Sequence, residues 1–353
     1  MSTLPSEPRI GVEDADYRDA LERHHIHLRD DWGPMPDHVE ALVAQMRKER
    51  GSPGPSIEEL KKDKDLLQMT RGTTKPWVEK YCTTHIFPGA SASDTLQKSS
   101  RKPMNRHMVP YVADDAGGVP GLTSIPKYSV PAPDLLYGYN SVNAFPDEGH
   151  RSHLLSTRHD VRATNGSNRL IYPFFVIEFK GIGGNLRVAT NQCLAGAATC
   201  VNMAEELNNQ LLAYSQDEAA AAFAAGGDQG QGGGQVVHAV DSTAFSIAMS
   251  GSEVWMYVSW KHDELSYYTQ QVDAFVLYHP EHYINFRRMV RNIIDWGKND
   301  RLKAIRRTLD ALLEESRKRT AAESKARQPS PEIAGDFSGM GGSSSGPSKK
   351  HRS

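Results

Sequence analysis

A carboxylate that follows a proline, and a glutamate two residues before a lysine, are the groups in this 353-residue chain best suited to chemistry. The first is Asp134, in Pro131-Ala-Pro-Asp-Leu-Leu-Tyr-Gly-Tyr139; the others are Glu178 and Lys180, which close Tyr172-Pro-Phe-Phe-Val-Ile-Glu-Phe-Lys180. Successive strand side chains point to opposite faces, so Glu178 and Lys180 share one face while Ile177 and Phe179 take the other. Carboxylates brought together from neighbouring strands can hold a hard divalent cation such as Mg2+ or Mn2+ through oxygen. An adjacent lysine adds a compact positive charge. Such a set lowers the pKa of a bound water and neutralises a phosphate under attack, which is the equipment for metal-assisted phosphodiester hydrolysis. From Glu-x-Lys alone the commoner meaning is plainer: an exposed Glu–Lys pair at a strand end.

The elements that must position these groups follow from periodicity. Helices are expected from about Asp16, over 37–46, over 57–69 and over about 75–84, with Gly51-Ser-Pro-Gly-Pro-Ser56 as a break. Residues 87–130, rich in Pro, Gly and Ser, read as long loops with short extended pieces, and 140–168 as polar and irregular. Strands are expected at 135–139, 170–180, 236–240, 244–249 and 254–260, with Ser250-Gly-Ser-Glu253 as a hairpin turn and 274–278 as a further short apolar run. A long helical pattern with small residues at 195–198 spans 188–214, and a strongly helical one runs from Glu281 to about Arg319. The expected architecture is α/β, a mixed central sheet of about four or five strands flanked by helices.

Three parts are expected along the chain: a polar helical extension over 1–74, a main domain over 75–319 carrying a Gly/Ala-rich insertion at 219–235, and a disordered Ser/Gly/Lys-rich tail over 320–353. With 41 Lys+Arg against 43 Asp+Glu, net charge −2, the chain is not one that coats nucleic acid by bulk electrostatics, although a local basic groove stays open to it. Cys82, Cys193 and Cys200 lack disulfide-framework or zinc spacing and read as buried apolar thiols. The absence of a signal-peptide core and of a membrane-length apolar run implies an intracellular protein without a membrane partner. Arg317-Lys-Arg319 and Lys349-Lys-His-Arg352 match short nuclear-import signals, as many basic tails do.

The order of helix, Asp-bearing strand, Glu-x-Lys strand, long helix and further strands resembles the PD-(D/E)xK nuclease superfamily. More closely, it resembles an uncharacterised fungal group of PD-(D/E)xK nuclease-like proteins. Besides the two stretches above, Val188-Ala-Thr-Asn-Gln-Cys-Leu-Ala-Gly196 and Phe245-Ser-Ile-Ala-Met-Ser-Gly251 carry the likeness, over roughly residues 75–315. It implies a restriction-endonuclease-like core and an Mg2+- or Mn2+-dependent nuclease, or a catalytically inactive descendant that binds or interacts. Asp134 and Glu178 would ligate the metal together with the Phe179 carbonyl, and Lys180 would serve the attacking water. Gln192 would lie near the metal or the scissile phosphate, or be an ordinary helix-start residue beside Asn191. An acidic residue of the first core helix would join them, with Glu79 the candidate and Glu58 and Glu59 behind it; a solvated helix face explains Glu79 as well.

Arg287, Arg288, Arg291, Lys298 and Arg301, followed by Lys303, Arg306 and Arg307, form a candidate DNA or RNA surface on the last helix. The alternative is a solvated amphipathic face with pairs such as Arg306 with Asp310. Other features lead nowhere. Gly181-Ile-Gly-Gly-Asn lacks the Gly-Lys-Ser/Thr of a phosphate loop, and His24-His25-x-His27 lacks partner ligands.

Overall fold

The computed structural model describes residues 9–51, 54–89, 91, 93–112, 125–165, 169–224 and 239–326. The chain divides into two units, Met1–Glu314 and Glu315–Ser353. In the second, the described residues 315–326 are helical, with Lys318 Nζ 2.6 Å from Glu315 Oε1. The sheet and the groups singled out by the sequence lie in the first.

In chain order its elements are α1 (Tyr17–Arg23), β1 (Ile26–Leu28), α2 (Asp37–Met46), α3 (Ile57–Lys62), α4 (Lys64–Arg71), α5 (Lys75–His85), β2 (Leu96–Ser99), a single 3-10 turn (Arg106–Met108), β3 (Leu135–Asn140), α6 (Glu148–Ser156) and α7 (Arg158–Val161). Then come β4 (Leu170–Lys180), α8 (Leu186–Ala224), β5 (Ala244–Ser250), β6 (Glu253–Lys261), β7 (Tyr267–Val276), α9 (Pro280–Trp296), a π-helical stretch (Gly297–Arg301) and α10 (Leu302–Ala326), of which residues 302–314 belong to this unit. Among the described residues seven strands form one open mixed sheet in the order β1-β7-β6-β5-β4-β3-β2. The pairs β4/β5 and β1/β7 are parallel and the others antiparallel. A parallel pair needs a long crossover, which α8 supplies between β4 and β5.

β4 is the centre of this arrangement. Ten of its eleven residues are buried, as expected of a strand covered on both faces. Val176 packs with α8 residues such as Leu194, Ala197 and Val201. Phe175, Ile177 and Phe179 belong to the opposite core, with apolar side chains of α2, α5 and α9. α8 can approach closely because its contact face is made of small residues: a Cβ on Gly196 would lie 3.1 Å from Val176 Cγ1.

The expected strands at 135–139, 170–180, 244–249 and 254–260, the hairpin at 250–253 and the helices at 37–46 and 75–84 are present within a residue or two. The sheet is larger than expected because β1, β2 and the first half of β7 carry little apolar alternation. β1 has three residues, and its Cα partners in β7 are Tyr267, Tyr268 and Thr269. The segment 140–168, read as irregular, holds α6 and α7; α6 starts where the Asp147 carboxylate accepts from the His150 N–H at 3.0 Å. The helix expected over 57–69 is interrupted at Asp63, whose side chain caps α4. The helix from 281 is interrupted by the π-helical stretch. Residues 239 and 240 are not in a strand, and the rest of the expected strand at 236–240 lies outside the described residues, as do 225–235 of the insertion and the tail from 327. Residues 219–224 continue α8.

The π-helical stretch gives the last helix a buried cation. Arg301 is 2% exposed, with its guanidinium 5.4 Å from the Phe174 ring centroid and 5.7 Å from that of Tyr139. Its Nη1 donates to the Tyr172 carbonyl at 3.2 Å, and Tyr172 is one of three non-glycine residues with positive φ among the described residues, at +43°.

At Gly138 in β3 a Cβ would lie 2.7 Å from the Ile171 carbonyl oxygen and 3.0 Å from Pro173 Cα. Both are backbone atoms of the central strand and cannot swing aside. Gly138→Ala is therefore expected to lower unfolding free energy by roughly 1–3 kcal/mol, read as a lower urea midpoint. Gly11→Ala, where nothing lies within 4 Å, is expected to stay within about 0.5 kcal/mol of wild type. Equal midpoints would show that β3 and β4 are less closely apposed than described.

Candidate functional site

Asp134 lies just before β3, and Glu178 lies near the end of β4, one residue past the last β3 pairing at Ile177. The Asp134 carboxylate therefore replaces the partner strand: its Oδ2 accepts from the Phe179 N–H at 2.9 Å. In a strand the N–H and C=O of one residue leave on the same side, so the Phe179 carbonyl leaves from the edge of β4 that Asp134 borders. Glu178, on the opposite face of β4 from Phe179, points toward α8 and lies in hydrogen-bond contact with Asp134.

Asp134 is 3% exposed and Glu178 1%. Burial, and then the charge and hydrogen bond of Asp134, push the Glu178 pKa well above its ordinary value of 4.5; Lys75 and Lys180 pull weakly the other way. Glu178 Oε2 is buried without a hydrogen-bond partner. Two acids in contact, one with an orphaned oxygen, are either a proton-sharing pair or half of a cation site. The oxygen-only donors, two carboxylates and a backbone carbonyl, suit Mg2+ or Mn2+. Among the described residues no group of three or more His, Cys, Asp and Glu side chains is placed to hold a metal, so water and substrate oxygens would complete the shell.

Lys180 is the third expected member. Its side chain is 15% exposed, and its Nζ lies 4.0 Å from Glu13 Oε1. It acts electrostatically on both Glu178 and the neighbouring Cys193. Cys193 itself is buried, and desolvation together with the Glu178 charge raises its pKa well above 9.0, so it is no nucleophile.

Gln192 is half-buried on α8 and its Oε1 lacks a hydrogen-bond partner, yet among the described residues no hydrogen bond joins it to the carboxylates. It is not a helix-start residue. α8 begins at Leu186, where Asn185 Oδ1 accepts from the Arg187 N–H at 2.8 Å. Asn191 Oδ1 instead accepts from Arg18 Nη2 at 2.6 Å. Glu79 is ion-paired to Arg101 and reaches the site only through it. Glu58 pairs with Lys61, and Glu59 closes the capping box of α3 with Ser56, so neither belongs here.

Two cations that the sequence did not single out complete the cluster. Lys75 Nζ lies 2.7 Å from Asp134 Oδ1, and Arg101 Nε lies 3.6 Å from the same oxygen. Lys75 is delivered by the turn after β4. The Ile182 N–H donates to the Thr73 carbonyl at 3.0 Å, and a Cβ on Gly181 would lie 2.6 Å from the Lys75 nitrogen, so α5 starts flush against this turn. Arg101 has φ +53°, and its N–H donates to the Pro133 carbonyl at 2.8 Å, one residue before Asp134. Lys75 and Glu79 stand i,i+4 on one face of α5. No local pattern marks Arg101.

The basic surface expected on the last helix is largely committed elsewhere. Arg301 is sealed among aromatic rings and cannot reach a nucleic acid. Arg288 pairs with Glu49, Lys298 with Asp94 at 3.0 Å, and Arg287 donates to the His85 carbonyl. Arg291 is half-buried, with burial lowering its pKa. Arg306 donates to the Ala144 carbonyl rather than pairing with Asp310, which contacts His150 Nε2 at 2.7 Å. Lys303 and Arg307 remain exposed. His24 is a buried structural residue, its Nδ1 accepting from the Val112 N–H. Among the described residues no helix is long and apolar enough to cross a membrane.

The family model described as Domain of unknown function (DUF7924) matches residues 62–309. No curated protein and no solved structure matches the chain.

Because the folded Glu178 pKa is raised, the native state binds more protons than the unfolded chain above the ordinary value of 4.5. Its contribution to stability is full below that value and is lost as pH rises through the folded pKa. In chelator, Glu178→Gln is expected to be the more stable protein at about pH 8, its advantage shrinking toward pH 4.5. Parallel urea-denaturation profiles for the two proteins across that window would contradict the burial and repulsion assigned to Glu178.

Proposed function

The chain belongs to the DUF7924 family, and we propose that Asp134, Glu178 and Lys180 form the active site of a metal-dependent nuclease of the PD-(D/E)xK kind, with a restriction-endonuclease-like core. The observation that carries this reading is the meeting of two buried carboxylates, from stretches 44 residues apart (178 − 134), beside the Lys180 ammonium. Asp134, Glu178 and the Phe179 carbonyl would hold Mg2+ or Mn2+. When bound, such an ion supplies a lowered water pKa and charge neutralisation at the phosphate. Asp134 fixes the end of β4 through the Phe179 N–H, so the donors are set before any substrate arrives. Glu178, whose carboxyl holds a proton more tightly than usual, gives up that proton when the pair takes a cation. Lys180 Nζ, held half-buried at the strand end, donates hydrogen bonds to the attacking water or to a phosphate oxygen and balances charge there. The substrate class is DNA or RNA phosphodiester.

One observation favours a second reading, a non-catalytic module that keeps the fold for binding. Both Asp134 oxygens already have partners, Oδ1 the Lys75 ammonium and Oδ2 the Phe179 N–H. A closed ion pair of this kind also serves as plain structure.

The test is cleavage of single-stranded and duplex DNA and RNA with Mg2+ or Mn2+. Asp134→Asn and Lys180→Ala are each expected to lose about 100-fold or more in rate, with circular dichroism and melting behaviour close to wild type. Equal cleavage by all three proteins, after contaminating nuclease is excluded, refutes the assignment. A wild type that binds Mn2+ through Asp134 but cleaves nothing supports the second reading.

A further inference from the structure

We propose that Lys75 and Arg101 are exchangeable counter-cations of the carboxylate pair. They hold Asp134 until a divalent ion takes the pair, and then turn to the substrate phosphate as its anchors. This rests on the reading of Asp134 and Glu178 as a cation site.

The contest is over one atom. Asp134 Oδ2 is tied to the Phe179 N–H at 2.9 Å, which leaves Oδ1 for a cation, and Oδ1 is the oxygen that Lys75 holds at 2.7 Å and Arg101 approaches at 3.6 Å. A divalent ion on Oδ1 would be repelled strongly by an ammonium held at such range inside a protein. The carboxylates are fixed and the cations are not. The Asp134 side chain is 5% exposed, whereas those of Lys75 and Arg101 are 35% and 56% exposed and keep a path to water. Their backbones stay in place: Thr73 is bonded to the turn after β4, and Arg101 to Pro133. A displaced ammonium or guanidinium therefore swings on a fixed stem and remains at the mouth of the site.

Charge says what it meets there. With every group ionised, Asp134, Glu178, Glu79 and Glu13 face Lys75, Arg101 and Lys180, four acids against three bases. A divalent cation turns that net charge of −1 into +1, an excess that these groups do not neutralise. A phosphate backbone does so, and Arg101 offers it a planar, two-pronged donor while Lys75 offers a point charge. Cation and phosphate should then strengthen one another's binding, and this coupling is reciprocal.

Isothermal calorimetry with Mn2+ alone, and with a short single-stranded DNA in Ca2+, reads both halves. Lys75→Met removes the charge and keeps the stem. It is expected to bind Mn2+ about tenfold tighter than wild type and the DNA about tenfold weaker. Lys75→Arg should restore values near wild type. Arg101→Gln, at an exposed position, should shift both constants the same way by less, and it keeps the test intact should Lys75→Met fail to fold. Unchanged or weaker Mn2+ binding in Lys75→Met and Arg101→Gln overturns the exchange while leaving the cation site standing. Tighter Mn2+ with unchanged DNA affinity overturns the phosphate role. Absence of Mn2+ binding by wild type and variants alike removes the cation site itself, and this inference with it.

Discussion

One constraint organises this protein: an acid is kept dry at the end of its most apolar strand. Glu178 would have no reason to be where it is if β4 were only a core strand, since its neighbours on both sides are rings and branched chains. The fold accommodates it by starting β3 only at Leu135, opposite Ile177, three residues short of the end of β4. That lets the Asp134 side chain, rather than another backbone, meet the Phe179 N–H. A ladder position is thereby exchanged for a functional group. A charge-assisted bond to a backbone N–H is stronger than the neutral bond it replaces, so the exchange costs little where it is made.

The rest of the unit is arranged to tolerate that acid. α8 comes close with small side chains, so that Cys193 and Gly196 lie over Glu178 and Val176 respectively. A one-turn helical step matches a two-residue strand step only roughly, and residues without bulk absorb the mismatch. The turn after β4 brings α5 flush with the strand end, and the reversal at Arg101 closes the other side. Three cations, Lys75 and Arg101 from stretches of their own and Lys180 from the same strand as Glu178, therefore surround the two acids. Because no single segment carries the set, the unit must be folded before the cluster exists.

How much of this could be read from the sequence follows from range. β4 is legible because eleven residues in a row carry the signal, and β5, β6 and their turn because alternation and a glycine mark them. Asp134, Glu178 and Lys180 are legible because each sits in a stretch with its own pattern. β1 is not, since three residues bounded by His25 and Arg29 carry no period, and its partner strand is polar where they meet. α6 is not legible either, although Asp147 is a good cap, because its apolar face is narrow. Arg101 is placed by a backbone bond to Pro133, and Arg301 is buried by rings from three other elements. Contacts of that kind leave no trace in local spacing. This is why a row of arginines that reads as a docking face is, in the folded chain, partly core and partly ion pairs.

The short strand β1 has a bearing on how the family should be delimited. It precedes residue 62, where the family match begins, yet it is the outermost member of the sheet and the only cover for that side of β7 among the described residues. A polypeptide trimmed to the matched segment would bare a run of unpaired backbone donors and acceptors along β7, a ready template for other chains. α2, also upstream of the match, packs its apolar side against α9, and its loss would uncover that helix too. The boundary of the folded unit in this chain thus lies upstream of the matched residues.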